Sequence, residues 1–202
     1  MTSASETNRS PLQRRVATAI VEAAAEVFAA RADGGSLHEV AELAGVGRAT
    51  LYRYFANREA LLAELADVAA AKVADRLGSA RIDGGAVEEG LRRAVAAFVD
   101  VGPYFVVLAR EGVRSSPERL EATIKKPLRG LFERGEKTGS IRSDIPAALL
   151  SELLVAQVVV ALSARPELGR EDAVATVTSM FLEGARAGGA SNDSSPRPPA
   201  RE

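Results

Sequence analysis

The chain has no cysteine and no tryptophan, a single histidine and two methionines, and aromatic residues make up only 4% of it. Without thiols there can be no disulfide, no thiolate metal site and no cysteine nucleophile, and either redox compartment would suit it. His38 is the sole imidazole, so a histidine-built metal site or a Ser–His–Asp hydrolase would rest on that one ring, and there is no Glu-x-x-His pair. Neither sign of charge prevails: 26 basic and 27 acidic residues leave a formal net charge of −1. That excludes whole-molecule attraction to a polyanion but not a local basic face. Long apolar runs are almost missing too. The one candidate, 147–164, is interrupted by Glu152 and Gln157. A central carboxylate costs about 2.5–3.5 kcal/mol on insertion scales, so this run reads as a soluble helix buried on more than one side, and no membrane partner is expected. The opening MTSASETNRS has no apolar stretch of the kind a secretion signal needs, which makes the cytoplasm the expected location.

What is present is a globular composition, 47% hydrophobic and 26% charged over 202 residues. Helix punctuation recurs throughout, whereas alternating strand runs bounded by turns do not, so the expected fold is all-α with about nine helices. Ser10-Pro11-Leu12-Gln13 supplies a cap, a first-turn proline and a partner for the cap; Asp33-Gly34-Gly35 ends that helix. Ser36-Leu37-His38-Glu39 is a capping box for a short helix to Leu43, and Asn57 can cap a long one from Arg58 to about Leu77. Further helices are predicted over 86–101, 103–113, 117–139, 146–164 and 171–187. Pro127 lies inside the apolar pattern of the 117–139 segment, which predicts a kink or break there. Residues 1–9 and the tail 188–202, which ends ASNDSSPRPPARE, carry too little apolar surface to offset their ordering entropy and are expected to be disordered.

Residues 36–55 have helix-turn-helix proportions: two short helices flank Ala44-Gly45-Val46-Gly47, with Val40, Ala41, Leu43, Ala44, Val46, Leu51 and Phe55 as the apolar set. Between Leu43 and Arg58 there is no acidic residue, while Arg48, Arg53 and Arg58 are cationic and Thr50, Tyr52 and Tyr54 add hydroxyls. On a 3.6-residue period Leu51 and Phe55 point inward, leaving Arg48, Ala49, Tyr52 and Arg53 outward. By spacing alone the segment is also compatible with a helical hairpin in a bundle with a solvated basic face. His38, outside the apolar set, could approach a phosphate or simply be solvated, and the solvated reading is the preferred one.

The string Leu37-His38-Glu39-Val40-Ala41-Glu42-Leu43-Ala44-Gly45-Val46-Gly47-Arg48-Ala49-Thr50-Leu51-Tyr52-Arg53-Tyr54-Phe55, continued by Ala56-Asn57-Arg58-Glu59-Ala60-Leu61-Leu62, resembles the DNA-binding signature of TetR-type transcriptional repressors. It departs from the commonest pattern at Gly47, where a serine cap is usual, and at Arg58, where lysine is frequent. The resemblance is specific over about 12–65 and implies a helix-turn-helix head (10–57) on a helical ligand-binding and dimerisation domain (58–187). It places Tyr52, Tyr54 and Thr50 at phosphate-contacting positions and Arg48, Ala49 and Arg53 at base-reading ones. Arg58 then stands at a phosphate-attracting helix start, and Ser36 joins the same DNA-contacting set. Arginine to guanine is the commonest specific contact, so guanine is expected in the operator half-site.

For the second domain the resemblance implies a small-molecule effector, with Phe98, Tyr104, Phe105, Leu108, Phe132 and Gln157 as candidate pocket residues that would otherwise be plain core. The last two helices carry more apolar surface than one core-facing stripe needs. With the resemblance they imply a homodimer joined through Leu150, Leu153, Leu154, Val158, Val177 and Phe181. Ligand-induced release from a palindromic double-stranded DNA operator is the implied mechanism, with Pro127 as a flexible pocket wall. No cofactor, metal or catalytic residue is expected. A helical enzyme finds no acid, base or metal cluster to work with, and a purely dimeric interaction protein would leave Arg48, Tyr52, Tyr54 and Arg58 without a task.

Overall fold

A computed structural model describes residues 10–30, 34–113, 117–164 and 169–186, so the expected disorder of 1–9 and of 188–202 lies outside the described residues. Nine helices account for nearly all of what is described: α1 Pro11–Ala30, α2 Leu37–Leu43, α3 Arg48–Tyr54, α4 Arg58–Ser79, α5 Val87–Val99, α6 Gly102–Glu111, α7 117–138, α8 Ala147–Ala164 and α9 Arg170–Ala185.

The caps form as their residue types dictate. Gln13 N–H donates to Ser10 Oγ (3.3 Å) while Gln13 Oε1 accepts from Ser10 N–H (2.7 Å), closing the start of α1. Ser36 and Glu39 make the same reciprocal pair at α2, at 3.2 and 2.9 Å, and Asn57 Oδ1 accepts from Ala60 N–H at 2.8 Å to open α4. Two helices end at a left-handed glycine, α6 at Gly112 and α7 at Gly139. α6 stops at Glu111, two residues before the expected end, because Gly112 takes a left-handed φ of 67°.

Pro127 does not break α7. Its missing N–H and its ring conflict with the carbonyl four residues back, and the helix absorbs the conflict by widening into a π-turn over Glu121–Lys125, where Lys126 N–H donates to Glu121 O. The helix then continues from Lys126 to Thr138.

The core is one cluster. In the head, Ile20, Ala24 and Phe28 of α1, Val40 of α2 and Leu51 of α3 are fully or almost fully buried, together with Leu61 and Leu65 of α4. Through α4 the cluster runs on into Leu91 and Phe98 of α5, Leu128 and Phe132 of α7 and Leu154 of α8. α1 packs on α2, α4 and α6, and α8 packs on α5, α6, α7 and α9.

Five of the six expected dimer-interface residues belong to this core. Leu150 (2% exposed), Leu154 and Val158 of α8 form an i, i+4, i+8 stripe that the four neighbouring helices cover, and Val177 and Phe181 of α9 are likewise covered. Leu153 alone of the six stands on the surface, 47% exposed. The period is right, but the face differs from the expected one: on an all-round apolar helix, hydrophobicity alone does not say which stripe the chain's own helices cover. Leu154→Ala should therefore cost about 2–5 kcal/mol, and equilibrium urea unfolding should show the same loss at every protein concentration; a loss confined to dilute protein would return Leu154 to an interface.

Candidate nucleic-acid interface

Three short-range features hold α3. Val46 N–H donates to Ala41 O at 2.9 Å across a turn in which Gly45 adopts φ 66°, so the chain reverses in four residues. Leu51 and Phe55, 0% and 3% exposed, anchor its inner side beside Val40 and Ala41. Gly47 caps it in extended backbone without a side-chain bond, and α3 therefore lacks the hydroxyl acceptor that a serine would supply.

The opposite side of α3 faces outward. Arg48, Ala49, Tyr52 and Arg53 are exposed, while Thr50 and Tyr54 are half-buried, and the Arg53 guanidinium lies 5.8 Å from the Tyr54 ring centroid. This is the division that the 3.6-residue period predicts. The Ser36 hydroxyl, by contrast, is committed to its cap: it accepts from Glu39 N–H and donates to Glu39 Oε2 at 2.9 Å.

Arg58 is where the structure departs most from the sequence reading. Its side chain is only 27% exposed and is turned into the protein rather than toward a phosphate. Nη1 donates to Gly35 O (3.0 Å), Nη2 donates to Gly34 O (2.8 Å) and to Glu111 Oε1 (2.9 Å), and the guanidinium lies 3.9 Å from the Phe28 ring centroid. Both glycines are needed for this approach. Gly34 and Gly35 have φ of 85° and 58°, and a Cβ on Gly34 would stand 2.9 Å from Arg58 Nη2. Arg110 completes the cluster by donating to Phe28 O. Sequence proximity to the reading helix suggests a phosphate ligand; two backbone carbonyls and an acidic residue 53 positions away are stronger attractors for a planar five-donor group.

His38 is not the solvated bystander that its place outside the apolar set suggests. Its Nδ1 accepts from Arg48 Nε at 2.9 Å and its Nε2 lies 3.2 Å from Glu42 Oε1. The i, i+4 spacing of His38 and Glu42 is visible in the sequence; the bond to Arg48 depends on the turn geometry that swings α3 across α2.

Residues 20–65 match the model of bacterial regulatory proteins of the tetR family, and this is the segment that presents the outward face of α3. This segment is a TetR-family DNA-binding domain. A curated relative, the HTH-type transcriptional regulator NfxB of Pseudomonas aeruginosa, is 29% identical over 165 residues, covering 74% of this chain and 84% of that protein. Among solved structures, the TetR-like regulator LfrR of Mycobacterium smegmatis in complex with proflavine superposes with a TM-score of 0.70 at 24% identity, covering 84% of this chain and 96% of that one. The TetR-family regulator PfmR of Thermus thermophilus gives 0.61 at 23% identity over 81% and 97%. The TetR-family fold thus extends well beyond the matched head, and the matched segment and the curated relative are those of transcriptional regulators rather than of enzymes.

The candidate pocket residues are placed less openly. Phe98 and Phe132 are fully buried, with Phe98 against Phe105 (5.6 Å between centroids) and Phe132 against Phe181 (5.5 Å). Tyr104 and Leu108 are 8% and 9% exposed, and Phe105 and Gln157 are half-buried. Two surface hollows of about 430 and 350 Å³ lie along α1, the second reaching α2, and neither is lined by any of the six.

Arg58→Ala should lower stability by about 2 kcal/mol, through lost charge-assisted bonds and the lost ring contact. The salt dependence of DNA binding should keep its slope. A slope smaller by about one per subunit would make Arg58 a phosphate contact after all.

Proposed function

We propose that this regulator is a ligand-responsive repressor that binds a palindromic operator as a homodimer in the cytoplasm and is released by a small-molecule effector. The observation that carries the reading is the outward face of α3: Arg48, Ala49, Tyr52 and Arg53 are exposed on a helix locked from behind by Leu51 and Phe55. In a helix-turn-helix the second helix enters the major groove, and arginines there pair with guanine O6 and N7. Tyr52, Tyr54 and Thr50 then set register on phosphates, and Arg48, Ala49 and Arg53 meet base edges. The head would comprise 10–57 and the effector and dimer domain 58–187.

Dimerisation is supported by what α8 leaves uncovered. By length and composition this helix could cross a membrane, yet it packs on four neighbouring helices, and Glu152 within it pairs with Lys125 of α7 at 2.8 Å. Its outer side still presents Leu149, Leu153, Ala156 and Val160 at i, i+4, i+7 and i+11, with Leu149, Leu153 and Val160 46%, 47% and 64% exposed, and α9 adds Met180 at 61%. Such a seam has the spacing of a helix–helix contact, and a second copy related by a twofold axis would cover it. A dimer of this kind holds two α3 helices for successive major grooves, which is what a palindrome requires.

Support for an effector comes from LfrR, whose structure holds proflavine. Phe105 of α6 and Gln157 of α8 are the half-buried members of the candidate set, and the other four are buried. An effector that favours a state with displaced heads lowers operator affinity by the difference in its own affinity for the two states.

Selection of bound duplexes from a random library tests the reading. Enrichment of a palindrome with guanine in each half is expected, and Arg48→Ala or Arg53→Ala should each lose discrimination at one base pair by about 1–3 kcal/mol. Binding with no enriched sequence would overturn it. For the seam, Leu153→Glu should give a sedimentation mass of one chain where the wild type gives two, with the helical signal kept; a wild-type mass of one chain at micromolar concentration would exclude the homodimer.

A further inference from the structure

α2 and α3 are joined by a line of side chains that neither the core nor the caps require. Arg48 Nε donates to His38 Nδ1 at 2.9 Å, and His38 Nε2 lies 3.2 Å from Glu42 Oε1. Arginine has no acceptor and stays protonated, so Nδ1 must carry its lone pair and the imidazole proton must sit on Nε2, facing the carboxylate. The two partners thus select one tautomer and one ring orientation. Glu42 sets His38 from one turn away on α2, and His38 sets Arg48 across the turn.

The consequence for Arg48 is geometric. A guanidinium can meet a guanine edge either with its Nε and one Nη or with both Nη groups. With Nε bonded to His38, the fork left for a base is the Nη pair. A long side chain at the start of the reading helix is thereby confined to one mode of approach, and its rotamers are narrowed before it meets DNA. We propose that His38 is a positioning residue that fixes Arg48 and so determines specificity at the base pair Arg48 reads. This rests on the reading of Arg48 as a base contact.

The test uses the full chain and the duplex recovered by site selection, together with versions changed at the base pair whose preference Arg48→Ala abolishes. Asparagine places Oδ1 near the position of imidazole Nδ1, glutamine places its amide nearer Nε2, and leucine offers neither acceptor. His38→Asn should keep discrimination at that base pair within about twofold of wild type. His38→Leu and His38→Gln should reduce it roughly three- to tenfold, with unchanged binding to unrelated duplex, unchanged salt slope and unchanged thermal unfolding. His38→Leu combined with Arg48→Ala should discriminate no worse than Arg48→Ala alone.

Full discrimination in His38→Leu while Arg48→Ala loses it would overturn the positioning role and leave the reading of Arg48 standing. Tighter binding by His38→Leu with unchanged preference would also overturn it, since the tether would then hold Arg48 away from DNA. An Arg48→Ala protein with no base preference lost, or a selection that enriches nothing, would remove both the reading of Arg48 and the role of His38.

Discussion

The guanidinium of Arg58 is the joint on which the two parts of the molecule turn. Three helices and one connecting segment meet at it: the end of α1 through the Phe28 ring, the segment before α2 through the carbonyls of Gly34 and Gly35, the first turn of α4 that carries it, and the end of α6 through Glu111. Part-buried carbonyls of the Gly34–Gly35 turn need donors, and a carboxylate held at 22% exposure needs a cation; one planar group answers both. Arg110 adds a donor to Phe28 O from the same end of α6. The head is therefore bonded to α6 as well as being continuous with α4, which limits how freely it can swing.

That restraint bears on how an effector would be felt. A head tied to the rest only through α4 would follow α4 alone. Here α1 also packs along α6, and Lys72 of α4 bonds to Glu22 of α1 at 3.0 Å while its ammonium lies 5.3 Å from the Tyr104 ring of α6. α1, α4 and α6 are cross-linked at two levels, near Arg58 and near Lys72. A ligand that displaced α6 would have to move the head with it or break these bonds. Packed and bonded elements of this kind favour two discrete arrangements over a continuum.

Much of this is legible from the chain and some is not, and the division is physical. Ser10, Ser36 and Asn57 announce their helices because capping depends on neighbours three residues away, and the inward set Leu51 and Phe55 follows from a period of 3.6. The π-turn before Pro127 is legible as a disturbance but not in form, because widening and kinking answer the same missing N–H. The roles of Arg58 and His38 are hidden for a different reason. Each is decided by a partner brought up by the fold, Glu111 for the first and Arg48 for the second, and neither pairing has a local period. The face of α8 that the subunit keeps for itself is likewise invisible, since Leu150 and Leu153 are the same residue type on the same helix.

Two arginines ten residues apart, Arg48 and Arg58, thus carry opposite assignments from the same chemistry. Both are planar donors with a fixed charge near the reading helix. Arg58 has three acceptors and an aromatic face within reach, so three of its five donors are taken up by the protein and its charge is partly withdrawn from solvent. Arg48 stands on an exposed surface and donates Nε to one imidazole nitrogen, which uses one of its five donors. Among the described residues, the exposed cations on α3 are then Arg48 and Arg53. With a whole-chain charge of −1, binding would depend on that local concentration of positive charge rather than on any field of the molecule as a whole.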